Sequence, residues 1–187
     1  MIITILCEPR SGSTNLANWF FIRKDFTVLY EPYNIKSEWY KNKIPPQNWE
    51  FTTEHLLIKE IYSKEINYTD LLDISDKIII LYRENEDEQS LSWENAVATN
   101  NWDRPWVYEE KSKKKQTVGL DYLYDIKEGI KENYINKNYF TISYEELYYN
   151  NGFQRVVDYL NIDGVKNVGF PYGQKYRINI DKPRSLI

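Results

Sequence analysis

The stretch "ILCEPRSGSTNLANWF", residues 5–20, decides how this chain is read. An apolar strand, Ile2 to Leu6, runs into a small polar turn, Pro9 to Thr14. A helix is predicted from Thr14, carrying Leu16, Ala17, Trp19 and Phe20. Strand, turn and helix in that order make an anion site. Gly12 permits close backbone approach, and the helix points its positive end at the turn. Ser11, Ser13, Thr14 and Asn15 add donors, and Arg10 adds a fixed cation. The nucleoside-triphosphate loop, GxxxxGK[ST], does not fit. With its second glycine on Gly12, the first falls on Cys7 and the lysine on Ser13. That disfavours an ordinary NTPase. A plain helix cap is the structural alternative.

Outward from this loop, strands are predicted at Thr27 to Tyr30, Leu56 to Ile61, Lys77 to Tyr82 and Tyr139 to Ser143. KIIILY, residues 77–82, is a continuous apolar run of the kind found in strands buried on both faces of a parallel sheet. Helical spacing marks Asn85 to Thr99, then Leu120, Leu123, Ile126 and Ile130, then Phe153, Val156, Val157 and Leu160. Strands alternating with helices predict a single three-layer α/β domain over residues 1–187, with a mainly parallel sheet and a P-loop-like arrangement. Ligands of such sheets bind outside the carboxyl ends of the strands, which is where PRSGST falls. Tyr33 to Phe51 and Asn100 to Lys115 read as surface loops, and KSKKK (111–115) as a solvated loop face.

Composition narrows the function classes. The chain has 187 residues and a net charge of −4, against a nucleic-acid backbone as main partner. Its single cysteine, Cys7, precludes an internal disulfide and fits a reducing compartment. Apolar runs of about six residues fall short of the roughly 20 that a spanning helix needs. MIITIL lacks a basic leader and a small-residue cleavage site. A soluble, cytoplasmic chain without membrane partners is therefore expected.

PRSGST after an early strand resembles the 5′-phosphosulfate loop of sulfotransferases that use 3′-phosphoadenosine 5′-phosphosulfate (PAPS), written P-[KR]-[SC]-G-[ST]-T in that family. A second match lies downstream. In IIILYRENEDEQSLSW, residues 78–93, a buried strand ends in an arginine and a helix with a serine follows. The resemblance implies that Arg83 and Ser92 hold the 3′-phosphate, with Ser90 as the alternative. A planar guanidinium fork suits phosphate oxygens. The competing role for Arg83 is an ion pair with Glu84, Glu86, Asp87 or Glu88. A third match, ISYEEL (142–147), resembles the family's strand-then-Y-E-D-L segment and implies that Tyr144 lies near the adenine. FQRVVDYLNI (153–162) resembles the helix that follows it. The family's closing C-terminal segment is not recognisable in KYRINIDKPRSLI, where Arg177, Lys182 or Arg184 are candidates for part of its work.

The implied reaction moves a sulfuryl group from PAPS to a hydroxyl or amine acceptor by in-line displacement, leaving the product PAP. The acceptor is expected to be a small molecule or glycan. Arg10 and the loop amides stabilise the leaving oxygen, and no metal is required. The acceptor needs a base. Glu31, directly after strand two in VLYEPYN, is preferred to His55, which is expected to precede its strand. Glu31 could alternatively be a structural acceptor in the Glu-Pro turn. Lys59 interrupts the apolar run LLIKEIY. It is assigned to the acceptor side or to a pair with Glu60 or Asp76. The aromatic loops offer Tyr33, Trp39, Tyr40, Trp49, Trp102, Trp106 and Tyr108 as acceptor-site or packing residues. A non-catalytic nucleotide-binding module of the same fold and a degenerate P-loop kinase are the rival functions.

Overall fold

The computed structural model describes residues 1–34, 37, 42, 45–49, 51–100 and 118–162. Five strands, β1 (Ile2–Cys7), β2 (Phe26–Tyr30), β3 (His55–Ile61), β4 (Lys77–Tyr82) and β5 (Phe140–Ser143), form one sheet. Every pairing is parallel, and the order is β2-β3-β1-β4-β5. The helices are α1 (Ser13–Phe21), α2 (Thr69–Asp73), α3 (Glu86–Thr99), α4 (Val118–Ile130), α5 (Tyr144–Tyr149) and α6 (Gly152–Leu160). The α/β class expected from the alternating pattern is borne out.

Alternation along the strands builds the two cores, because successive side chains point to opposite faces. Ile3, Ile5 and Cys7 of β1, with Ile79 and Leu81 of β4, pack against α1 and α6 through Leu16, Phe20, Phe153, Val156 and Leu160. Leu6, Ile58, Ile78 and Ile80 face the other way, onto Leu71 of α2 and Ile126 and Ile130 of α4. Each such side chain contributes about 1.5–3 kcal/mol by leaving water. Thr4 is buried among them, and its hydroxyl is satisfied by Ser75 at 2.7 Å.

Element ends shift by a residue in places, and three differences bear on the site. α1 begins at Ser13 rather than Thr14, because Gly12 takes the left-handed conformation (φ 77°) and opens the helix one residue earlier. His55 is the first residue of β3 rather than a residue before it. The short α2 was not foreseen, as its five residues are too few to show a helical period. Among the described residues no helix is long and apolar enough to cross a membrane.

Candidate functional site

All five strands point their carboxyl ends at one edge of the sheet. There β1 releases the loop from Glu8 to Gly12. Two of its residues, Arg10 (φ 61°) and Gly12 (φ 77°), are left-handed. This conformation costs a non-glycine residue about 1–2 kcal/mol. No side chain caps α1, so the amides of its first turn are presented to the loop. A Cβ on Gly12 would lie 2.6 Å from Tyr148 Cε2 and 2.9 Å from Tyr144 Cδ2, so only glycine fits beneath these rings. The Tyr148 hydroxyl donates to the Gly12 carbonyl at 2.8 Å.

The two arginines converge on this loop. Arg10 Nε donates to Ser92 Oγ at 2.9 Å. Arg83, on the residue after β4, donates from Nη1 to the Arg10 carbonyl at 3.2 Å. The Arg83 guanidinium lies 4.3 Å above the Tyr144 ring. It is 5% exposed, and its Nε makes no hydrogen bond. A buried guanidinium donor without a hydrogen bond is uncommon, and a guanidinium fork suits anionic oxygens. Part of the fork is already engaged: Nη2 pairs with Glu88 at 2.7 Å, the ion pair weighed above, and Nε lies 3.7 Å from Glu145. Glu88 is half exposed on the first turn of α3, where solvent can receive it. Ser92 is buried and joined to Arg10, whereas Ser90 is only partly buried. Burial pushes the Tyr144 hydroxyl up to about 12, so it remains a neutral donor.

The loop's other donors divide. Ser11 is fully buried, and its hydroxyl donates inward to the Glu8 carbonyl at 2.7 Å, so it braces the turn rather than facing out. Ser13 is buried near the Cys7 thiol, Thr14 is partly exposed, and Asn15 is exposed and bonded to Tyr148. Cys7 is inert: its thiol donates to the Glu60 carbonyl at 3.1 Å, and burial pushes it to about 11.

The second half of the site lies at the ends of β2 and β3. Glu31 follows β2 in a left-handed conformation (φ 50°), and its amide donates to the Lys59 carbonyl at 2.7 Å. Lys59, 2% exposed, hydrogen-bonds Glu31 Oε1 through its ammonium. That partner corrects the pairing expected with Glu60 or Asp76. Asp76 instead accepts from the Ile2 amide at 2.7 Å, and Glu60 accepts from the Tyr33 amide at 3.0 Å. Lys59, Glu31 and Glu60 all act electrostatically on Cys7, the residue that enters the loop, so the pair lies near the start of that loop. Glu60 is 2% exposed, and burial, helped by the Glu31 charge, pushes its carboxyl up to about 8. Tyr33 packs edge-on against Trp49 and Tyr68. His55 is buried against Phe26 at the amino end of β3, the opposite edge from Glu31.

Trp39, Tyr40, Trp102, Trp106, Tyr108, Arg177, Lys182 and Arg184 lie outside the described residues. Among the described residues no group of three or more His, Cys, Asp or Glu side chains could hold a metal ion. Sequence reasoning missed Glu8, Gln89, Lys127 and Tyr148. Only Tyr148 left a signal, sitting one helical turn beyond Tyr144.

Comparison with known proteins establishes the fold class. The chain is similar to the crystal structure of mouse sulfotransferase SULT7A1 complexed with PAP, at a TM-score of 0.56 and 18% sequence identity. The match covers 87% of this chain and 59% of the mouse protein, so this chain spans well under two thirds of its neighbour's length. At that identity the likeness is one of fold. No family model matches the chain, and no curated protein does.

Proposed function

We propose that this protein is a PAPS-dependent sulfotransferase. The observation that carries the reading is the convergence of Arg10, Arg83 and Ser92 on a glycine loop at the carboxyl edge of a parallel sheet. The fold neighbour's complex with PAP supports it. The residues fit the donor: the left-handed loop and uncapped α1 suit the 5′-phosphosulfate, and the unused Arg83 Nε with Ser92 suits the 3′-phosphate. The Tyr144 ring beside Arg83 suits the adenine.

When bound, the donor supplies the sulfuryl group, and negative charge grows on the phosphate oxygen it leaves. Arg10 and the loop amides hold that oxygen in fixed positions, so little reorganisation is needed as charge develops. Glu31 takes the proton from the acceptor hydroxyl or amine. Lys59 orients the Glu31 carboxylate through the hydrogen bond from its ammonium to Oε1. The strained backbone at Glu31 is the kind of local cost that persists where function requires it. The acceptor is a small molecule or glycan, and Tyr33 stands near the base to meet it.

Calorimetric titration with PAP, with ADP as control and without magnesium, tests the reading. PAP carries its second phosphate on the 3′ oxygen, whereas ADP carries its second on the 5′ phosphate. Micromolar PAP binding, weakened at least tenfold for ADP and in Arg83→Met, is expected from a charge-assisted contact. Equal affinity for the two nucleotides would remove the main support.

A further inference from the structure

One buried carboxylate at the site takes no part in the chemistry proposed above. Glu8 is 1% exposed and stands between β1 and the loop. Its Oε2 accepts from the Arg83 amide at 3.0 Å and from Gln89 Nε2 at 2.9 Å. Gln89, fully buried, also donates to the Pro9 carbonyl at 2.9 Å. The Lys127 ammonium of α4 lies 3.8 Å from Glu8 Oε2 and hydrogen-bonds the Arg83 carbonyl. The main chain of Glu8 is equally engaged, its amide on Leu81 and its carbonyl on the Ser11 hydroxyl. One carboxylate thus ties together the loop, the end of β4, α3 and α4. Burying a carboxylate is costly unless it is paired and hydrogen-bonded, and here two hydrogen bonds and the Lys127 ammonium offset that cost and fix its place between the loop, β4 and α3.

We propose that Glu8 is a positioning residue for the anion cradle: its ionised carboxylate, countered by Lys127, holds the Arg10 loop and Arg83 at their working separation. This rests on the reading that the loop and Arg83 hold a phosphate-bearing nucleotide. Burial raises the Glu8 pKa, while Lys127, the Arg83 amide and Gln89 oppose the rise and Glu86 adds to it. The Tyr82 hydroxyl also lies within electrostatic reach. Protonation weakens both charge-assisted bonds and removes one of the two carboxylates that face Lys127, Glu86 at 3.8 Å being the other, so nucleotide affinity falls as pH drops through the Glu8 titration.

The test is PAP affinity by calorimetry from pH 5 to 9 for wild type, Glu8→Gln and Lys127→Met, each checked for folding by circular dichroism. Glu8→Gln is expected to bind PAP about tenfold more weakly than wild type at high pH. The gap should close toward low pH, where wild-type Glu8 is itself neutral. The nucleotide's own phosphate titrates near pH ~6 and cancels in the comparison. Lys127→Met should move the fall in affinity to higher pH, because removing the cation raises the Glu8 pKa further. A folded Glu8→Gln with wild-type affinity and pH profile overturns the proposal. If Glu8→Gln fails to fold, the Lys127→Met profile decides, and an unshifted profile overturns the proposal. Equal binding of PAP and ADP by wild type would sink the sulfotransferase reading alone, and the Glu8 dependence would be read with ADP. Binding of neither would overturn both.

Discussion

Replacing Glu60 by glutamine should stabilise this protein in a pH-dependent way. Glu60 is buried beside Glu31, and its carboxyl is held up at about 8 against an ordinary 4.5. The folded protein therefore keeps a proton that the unfolded chain releases, and stability falls as pH rises from about 4.5 to about 8. At full ionisation the penalty is at most about 5 kcal/mol. Glutamine removes the charge and keeps an oxygen for the Tyr33 amide. Thermal melts of wild type and Glu60→Gln should nearly coincide at pH 5. They should separate by up to roughly 10–20 °C at pH 9, with the variant higher, since a chain of this size shifts by about 2–4 °C per kcal/mol. A gap that is the same at both pH values would refute the reasoning. It would mean that Lys59 and the Tyr33 amide compensate the buried charge fully.

Gly12→Ala should cost about 2–4 kcal/mol in chemical denaturation, from the left-handed backbone and the clash with Tyr148 and Tyr144. A cost under about 0.5 kcal/mol, a typical surface value, would show that the rings move aside. Glu31→Gln and Lys59→Met should each lower sulfuryl turnover by at least about a hundredfold while leaving PAP affinity within about twofold. A loss of PAP affinity matching the loss of turnover would place both residues in the cofactor site instead of the acceptor site.

The parts of the fold legible in the sequence are those with local causes. KIIILY announced a two-faced buried strand because both of its faces are apolar, and β4 occupies the same residues. PRSGST was legible as the turn between β1 and α1 because glycine and small hydroxyls suit a tight strand-to-helix turn, and Gly12 takes the left-handed backbone that opens α1. The Lys59 partner was not legible. It depends on parallel register, which sets Tyr30 beside Lys59 and so brings Glu31, the next residue, to its ammonium. Ser92 and Ser90 differ by two positions on one helix, and only the direction of α3 against the loop separates them. Glu8 was silent because its partners, Arg83, Gln89 and Lys127, come from three later elements.

The left-handed residues Arg10 and Glu31 set a conflict between durability and use. Each stands where asparagine or glycine would relax the backbone, and among the described residues asparagine already fills the other left-handed non-glycine positions, Asn100, Asn151 and Asn161. Selection for heat resistance alone would therefore favour Arg10→Gly and Glu31→Asn, two changes that harden the scaffold while removing the cation and the base proposed above. A laboratory lineage evolved for thermal survival, without a transfer assay, would drift at these two codons first.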